Sequence, residues 1–77
     1  MSNTNRNSLK RQVAGTHYTT KAIQPIEYIQ ANRMLFEEGN VVKYVTRHQD
    51  KNGADDIRKA IHYLAFILER DYAEPGL

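Results

Sequence analysis

Lys43, Arg47 and Lys51 stand four residues apart, and they are the clearest chemistry in the chain. On a helix they share one side with Asn40, Tyr44 and His48. Val41, Val42 and Val45 fall on the other side and are expected to face a core. Like charges one helical turn apart repel, by a few tenths of a kcal/mol per pair, so something anionic should answer them. Two answers are open. Glu38, Asp50 or the acids of the last helix could neutralise the stripe as a solvated, salt-bridged face. Alternatively, an anionic ligand could bind there. The rings of Tyr44 and His48 beside the cations suit a compound that carries a base and a phosphate.

His17-Tyr18 is a second candidate constellation. These residues could form a pocket wall or stack a base, or simply anchor the N-terminal segment to the core. His62 is expected on a helix surface as a packing residue. Metal chemistry has little support. Asp50-Lys51-Asn52-Gly53 begins like a calcium loop, but its twelfth position is Ile61, where a bidentate Glu is needed. Glu37/Glu38 and Asp55/Asp56 lack the acids one turn on that would hold a magnesium ion, because Val41 and Lys59 stand there. They read as surface and cap residues. No phosphate-cradling glycine loop, nucleophile elbow or HExxH occurs, and no cofactor is implied.

The elements that must position these side chains are helical. Gln24-Pro25-Ile26-Glu27 looks like a helix start, with proline at the first position and Glu27 reaching back to free N–H groups. The helix it opens should run from about 25 to 32, with Ile26, Tyr28 and Ile29 inward. A second helix is expected over 34–49, with Gly39 marking a kink or a close approach of another backbone. Asn52-Gly53 is a turn. A third helix should run over 54–72, with Asp55 and Asp56 in its first turn. Asp55 to Lys59 is a stabilising pair, and Ile57, Ile61, Leu64 and Leu68 make an apolar seam. The apolar residues of that helix exceed what three helices can cover, which points to a helical homo-oligomer. The reading is all-α, a three-helix chain with a disordered basic arm at 1–16 and one domain over 17–77. Residues 19–23 are expected to be extended.

The chain has 77 residues, a net charge of +2 and no cysteine. That excludes a disulfide framework and a thiolate metal site. The positive charge belongs to the arm. Arg6, Lys10 and Arg11 stand among residues 1–16 with no acid, while the remainder carries 8 Lys/Arg against 9 Asp/Glu. A neutral domain with one local cationic face suits a small anionic ligand better than duplex DNA, which draws a broad basic surface. No apolar run approaches a membrane span and no signal peptide is visible, so a reducing cytoplasm is the expected compartment.

His17-Tyr18, Ile23-Gln24-Pro25-Ile26-Glu27-Tyr28-Ile29, Phe36-x-x-Gly39-Asn40-Val41-Val42-Lys43-Tyr44-Val45-x-Arg47 and Lys51-x-Gly53-x-x-Asp56-Ile57-x-Lys59-Ala60-x-x-Tyr63-Leu64 follow one another in an order that resembles the small tailed-phage family called SaV-like proteins. The resemblance covers about residues 17–70. It implies a bacteriophage protein acting in the host cytoplasm, helical and self-associating. One member type is a nucleotide kinase that converts deoxynucleoside monophosphates to diphosphates without a usual kinase fold or metal. Another is a non-enzymatic protein that triggers a host defence system. Carried onto this chain, the resemblance implies that Lys43, Arg47, Lys51 and Lys59 hold phosphate oxygens. Tyr44 and Tyr18 would stack a base, Asn40 would read a base edge or ribose, and His17 would be the proton shuttle.

The leading expectation is therefore a nucleotide-binding phage protein, with nucleoside monophosphate kinase activity as its enzymatic form. The alternatives are a non-enzymatic oligomer that sequesters nucleotide signals or binds a host defence protein, and a weak nucleic-acid binder acting through the basic arm.

Overall fold

The computed structural model describes residues 21–76. These form three α-helices, α1 (Pro25–Ala31), α2 (Phe36–Arg47) and α3 (Ala54–Tyr72), with a short 3-10 turn at His48–Asp50. No strand forms among the described residues, so the all-α reading holds. The middle helix is shorter than expected: it begins at Phe36 rather than 34, and its last turn tightens into the 3-10 segment. Of the stretch expected to be extended, 21–23 is a bend and the rest lies outside the described residues.

The start of α1 follows from its sequence. Pro25 takes the first helical position, where a missing N–H costs nothing. Gln24 and Glu27 cap each other, with the Gln24 backbone N–H donating to Glu27 Oε1 at 3.4 Å. The helix ends where Arg33 turns left-handed at φ 52° and the Met34 N–H reaches back to the Ile29 carbonyl. The chain then reverses into α2. Gly39 is buried at the crossing, and a Cβ there would stand 3.1 Å from Ile29 Cγ2. The neighbour is a side chain of α1, not the second backbone that was expected, and α2 continues through the crossing as one helix without a kink.

Helix α2 lies in the middle, packed along α3 and more lightly against α1. Arg47 meets Asp56 at one end of the α2–α3 pair, and Glu37 and Glu38 meet Arg70 at the other, so the two helices form an antiparallel hairpin. Gly53 allows the reversal. Its φ of 56° with ψ of −126° belongs to a region that side-chain-bearing residues avoid.

Several expected orientations differ. The side of α3 against α2 carries Asp56, Ala60 and Tyr63, each one residue before a member of the expected seam of Ile57, Ile61, Leu64 and Leu68, and Arg70 near its end. The side of α2 against α3 carries Tyr44 and Arg47, the face expected to be free. Val45 is 47% exposed, and with Val41, Val42, Ile23, Pro25, Tyr28 and Thr46 it lines an open apolar groove of about 420 Å³ between α1 and α2. Ile26 and Tyr28 are half exposed rather than inward. For α2 and α3 the reason is shared: a helix face is decided by its neighbour, and a polar side chain with a matching partner competes for the interface with an aliphatic one.

Candidate functional site

The cationic face gathers around one ring. Lys43 Nζ lies 4.4 Å from the centroid of Tyr44, the Arg47 guanidinium carbon 4.8 Å and Lys59 Nζ 5.3 Å. Helix α2 supplies Lys43, Tyr44 and Arg47 from adjacent positions on one side, and α3 brings Lys59 across the seam. Tyr44 is itself seated by Tyr63 of α3, ring parallel to ring at 14° and 6.1 Å. Tyr63 continues into an aromatic row: Phe36 meets it edge-on at 5.8 Å, and Phe66 stands 6.0 Å away with His62 stacked on it at 4.7 Å. The row is partly open to solvent, with Phe36 70% and Phe66 43% exposed. Negative ring faces beside ammonium groups attract them, so the arrangement stabilises the cations without neutralising them.

The cations divide into two kinds. Arg47 is structural. Its Nε and Nη2 each donate to Asp56 at 3.3 Å, and Asp56 is completely buried. Asp56 also accepts from the backbone N–H of Asn52 at 3.2 Å and from the Asn52 side chain at 3.5 Å. Burial alone would raise the Asp56 pKa. The hydrogen bond from Arg47, the Asn52 backbone donor, the Arg47 charge and the Asn52 side chain together outweigh it and hold the carboxyl below its ordinary 3.8. This acid was expected at the surface as a cap. It does stand in the first turn of α3, but it closes the turn from inside.

Lys43 and Lys59 are the other kind. Among the described residues neither forms an ion pair, and both lie against Tyr44. Two acids expected to serve the stripe or Lys59 are used elsewhere. Asp50 pairs with Lys21 at 2.9 Å, and Asp55 pairs with Arg58 at 2.7 Å rather than with Lys59. Glu38, a third expected counter-charge, pairs with Arg70 at 2.5 Å.

Of the other candidate residues, Asn40 donates its side-chain amide to the Phe36 carbonyl at 2.9 Å, a contact within its own helix. Lys51 is exposed in the turn, outside the group of cations on the Tyr44 ring. His17 and Tyr18 lie outside the described residues, as does the arm at 1–16. Sequence reasoning did not assign Asp56, Tyr63, Phe36 or Phe66 to the site. For Asp56 a signal existed: Arg47 and Asp56 bracket a tight Asn-Gly turn, where a hairpin needs a clasp.

Among the described residues no group of acids and histidines is placed to hold a metal ion. No helix among them is long and apolar enough to cross a membrane.

Residues 13–65 match the family described as a protein of unknown function, DUF3310. That span reaches from inside the basic segment to the middle of α3 and includes Lys43, Tyr44, Arg47, Asp56, Lys59 and Tyr63. The chain belongs to this family. No curated protein and no solved structure matches it.

Proposed function

We propose that this DUF3310 member binds a small phosphorylated ligand of the nucleotide type on the edge of the α2–α3 hairpin, at Lys43, Tyr44 and Lys59. The observation that carries the reading is a pair of lysine ammonium groups, contributed by two helices and free of ion pairs among the described residues, held against one tyrosine ring. Ammonium groups of this kind bind phosphate oxygens as point charges. The partly exposed aromatic row beside them offers faces on which a base can stack. Lys51, at the end of the same hairpin, and Tyr18 and His17, upstream, belong to the same reading through the SaV-like resemblance. That resemblance also supports a phage origin and, in its most demanding form, metal-free phosphoryl transfer between nucleotides. The lysines would then offset the transition-state charge, with positioning contributing most of the rate.

The test is a titration of the full chain with deoxynucleoside mono- and triphosphates, followed by calorimetry. Lys43→Ala and Lys59→Ala should each weaken binding at least about tenfold, equivalent to roughly 1.4 kcal/mol, with unchanged helix content. Wild-type affinity in the double variant would remove the site. Arg47→Ala is uninformative about the ligand, because it also strands the buried Asp56. Incubation with a monophosphate and a triphosphate, read by chromatography, separates the enzymatic form, which yields diphosphate, from simple binding. Binding to single-stranded DNA that is lost with residues 1–16 would instead favour the nucleic-acid reading.

A further inference from the structure

The two lysines each have an aromatic counterpart at the same spacing. On α2, Phe36 stands seven residues before Lys43, and on α3, Phe66 stands seven residues after Lys59. Seven residues make close to two turns, so each pair shares one side of its helix, about 10 Å apart along the axis. The helices are antiparallel, so the two spacings run the same way in space. Both lysines lie toward the turn and both phenylalanines toward the open end. The half-buried rings of Tyr44 and Tyr63 stack along the seam between them, and Phe36 and Phe66 meet Tyr63 at 5.8 and 6.0 Å.

Tyr44 is itself a poor platform for a base. Lys43, Arg47 and Lys59 lie 4.4 to 5.3 Å from its centroid, and Tyr63 lies parallel to it at 6.1 Å. A ring has two faces, and these four groups crowd them. Phe36 is the opposite case. Its ring meets Tyr63 edge-on, among the described residues no cation stands over it, and it is 70% exposed. Phe66 is 43% exposed, with His62 stacked on it.

We infer that the base stacks on Phe36, beside Phe66, and that the ligand is a nucleoside di- or triphosphate whose phosphate chain runs along the seam to Lys43 and Lys59. This rests on the reading of those two lysines as phosphate-binding and corrects the role given to Tyr44, which holds the cations in place of a base. The separation of the two ends selects the ligand class. In a monophosphate one sugar separates the base from its phosphate, and two helical turns exceed that reach. Such a ligand holds the ring end or the lysine end, but not both. Each further phosphate extends the chain toward the lysines and adds charge for the second ammonium group.

Calorimetry of the full chain with three probes tests this: a deoxynucleoside monophosphate, the triphosphate of the same base, and inorganic tripolyphosphate. The triphosphate should bind at least about tenfold more tightly than either of the others, since it alone engages both ends. Phe36→Ala should weaken the triphosphate at least about fivefold and Phe66→Ala by less, while tripolyphosphate affinity stays at the wild-type value in both. That unchanged affinity also shows that the lysine end is still folded. Phe36→Tyr, which keeps a ring, should retain the triphosphate. The inference is overturned if tripolyphosphate binds as tightly as the nucleoside triphosphate, or if Phe36→Ala leaves all three affinities unchanged while Lys43→Ala and Lys59→Ala lower them. Those outcomes leave the lysine site standing. If the lysine double variant keeps wild-type affinity for every probe, the phosphate site itself is wrong and this inference falls with it.

Discussion

The α2–α3 hairpin is tied by charge at both ends, and the two ties differ in kind. At the turn, Arg47 and Asp56 meet with 12% and 0% of their side chains exposed, and Asn52 supplies two more donors. At the open end, Arg70 is shared among Glu37, Glu38 and Asp71 at 2.5 to 2.7 Å, with every side chain about a quarter to two-fifths exposed. The open end has the shorter distances and the greater number of partners. It is nonetheless expected to matter less, because each of those side chains is about a quarter or more exposed and water screens their charges. Asp56 has no such alternative, since removing Arg47 would leave an anion without solvent. Burial and the absence of a substitute partner, more than contact length, decide which pair locks the hairpin.

The largest expected effect tests this contrast directly. Asp56→Ala should lower the melting temperature by more than about 10 °C, and Arg70→Ala by less than about 5 °C, as read by thermal circular dichroism. Equal losses would erase the distinction. Next in size is the turn that lets the buried pair meet: Gly53→Ala forces a side chain to adopt positive φ with ψ of −126° and should cost about 1–3 kcal/mol by urea unfolding.

Acid separates the ends further. The Asp56 pKa is lowered on folding, so its contribution is complete above the unfolded value, near 3.9, and is lost as pH falls through the folded value below that. Asp71, lowered chiefly by its hydrogen bond to Arg70, acts in the same direction, but in solvent and weakly. Stability should therefore fall below about pH 4, and Asp71→Asn should leave that fall nearly unchanged. If Asp71→Asn abolished it instead, the open end would be the acid-sensitive one. The smallest effect lies at the end of α3. Ala73 sits left-handed at φ 52° in the position a helix usually gives to glycine, so Ala73→Gly should stabilise by up to about 1 kcal/mol.

How far the sequence carried depended on how local the cause was. Pro25 with Glu27, Asn52-Gly53 and Asp55/Asp56 act within a turn of themselves, and each marked a boundary that the structure keeps. The cationic face of α2 was also legible, since periodicity alone puts Lys43, Tyr44 and Arg47 together. What Arg47 does there was not legible, because its partner is nine residues away across a reversal. Ile57, Ile61, Leu64 and Leu68 show the same limit. Their spacing correctly identified an apolar side of α3, but not the side that meets α2.

The sequence by itself determined the three helices, the boundaries set by Pro25 and by Asn52-Gly53, and the amphipathic division of α2 and α3, because capping, turn chemistry and periodicity are properties of neighbouring residues. Only the tertiary structure decided which side of each helix is the interface. That choice weighs every surface of α2 against every surface of α3 at once, and here a buried arginine–aspartate clasp and a tyrosine stack took the contact. The aliphatic stripe was left outside, and so were Lys43 and Lys59.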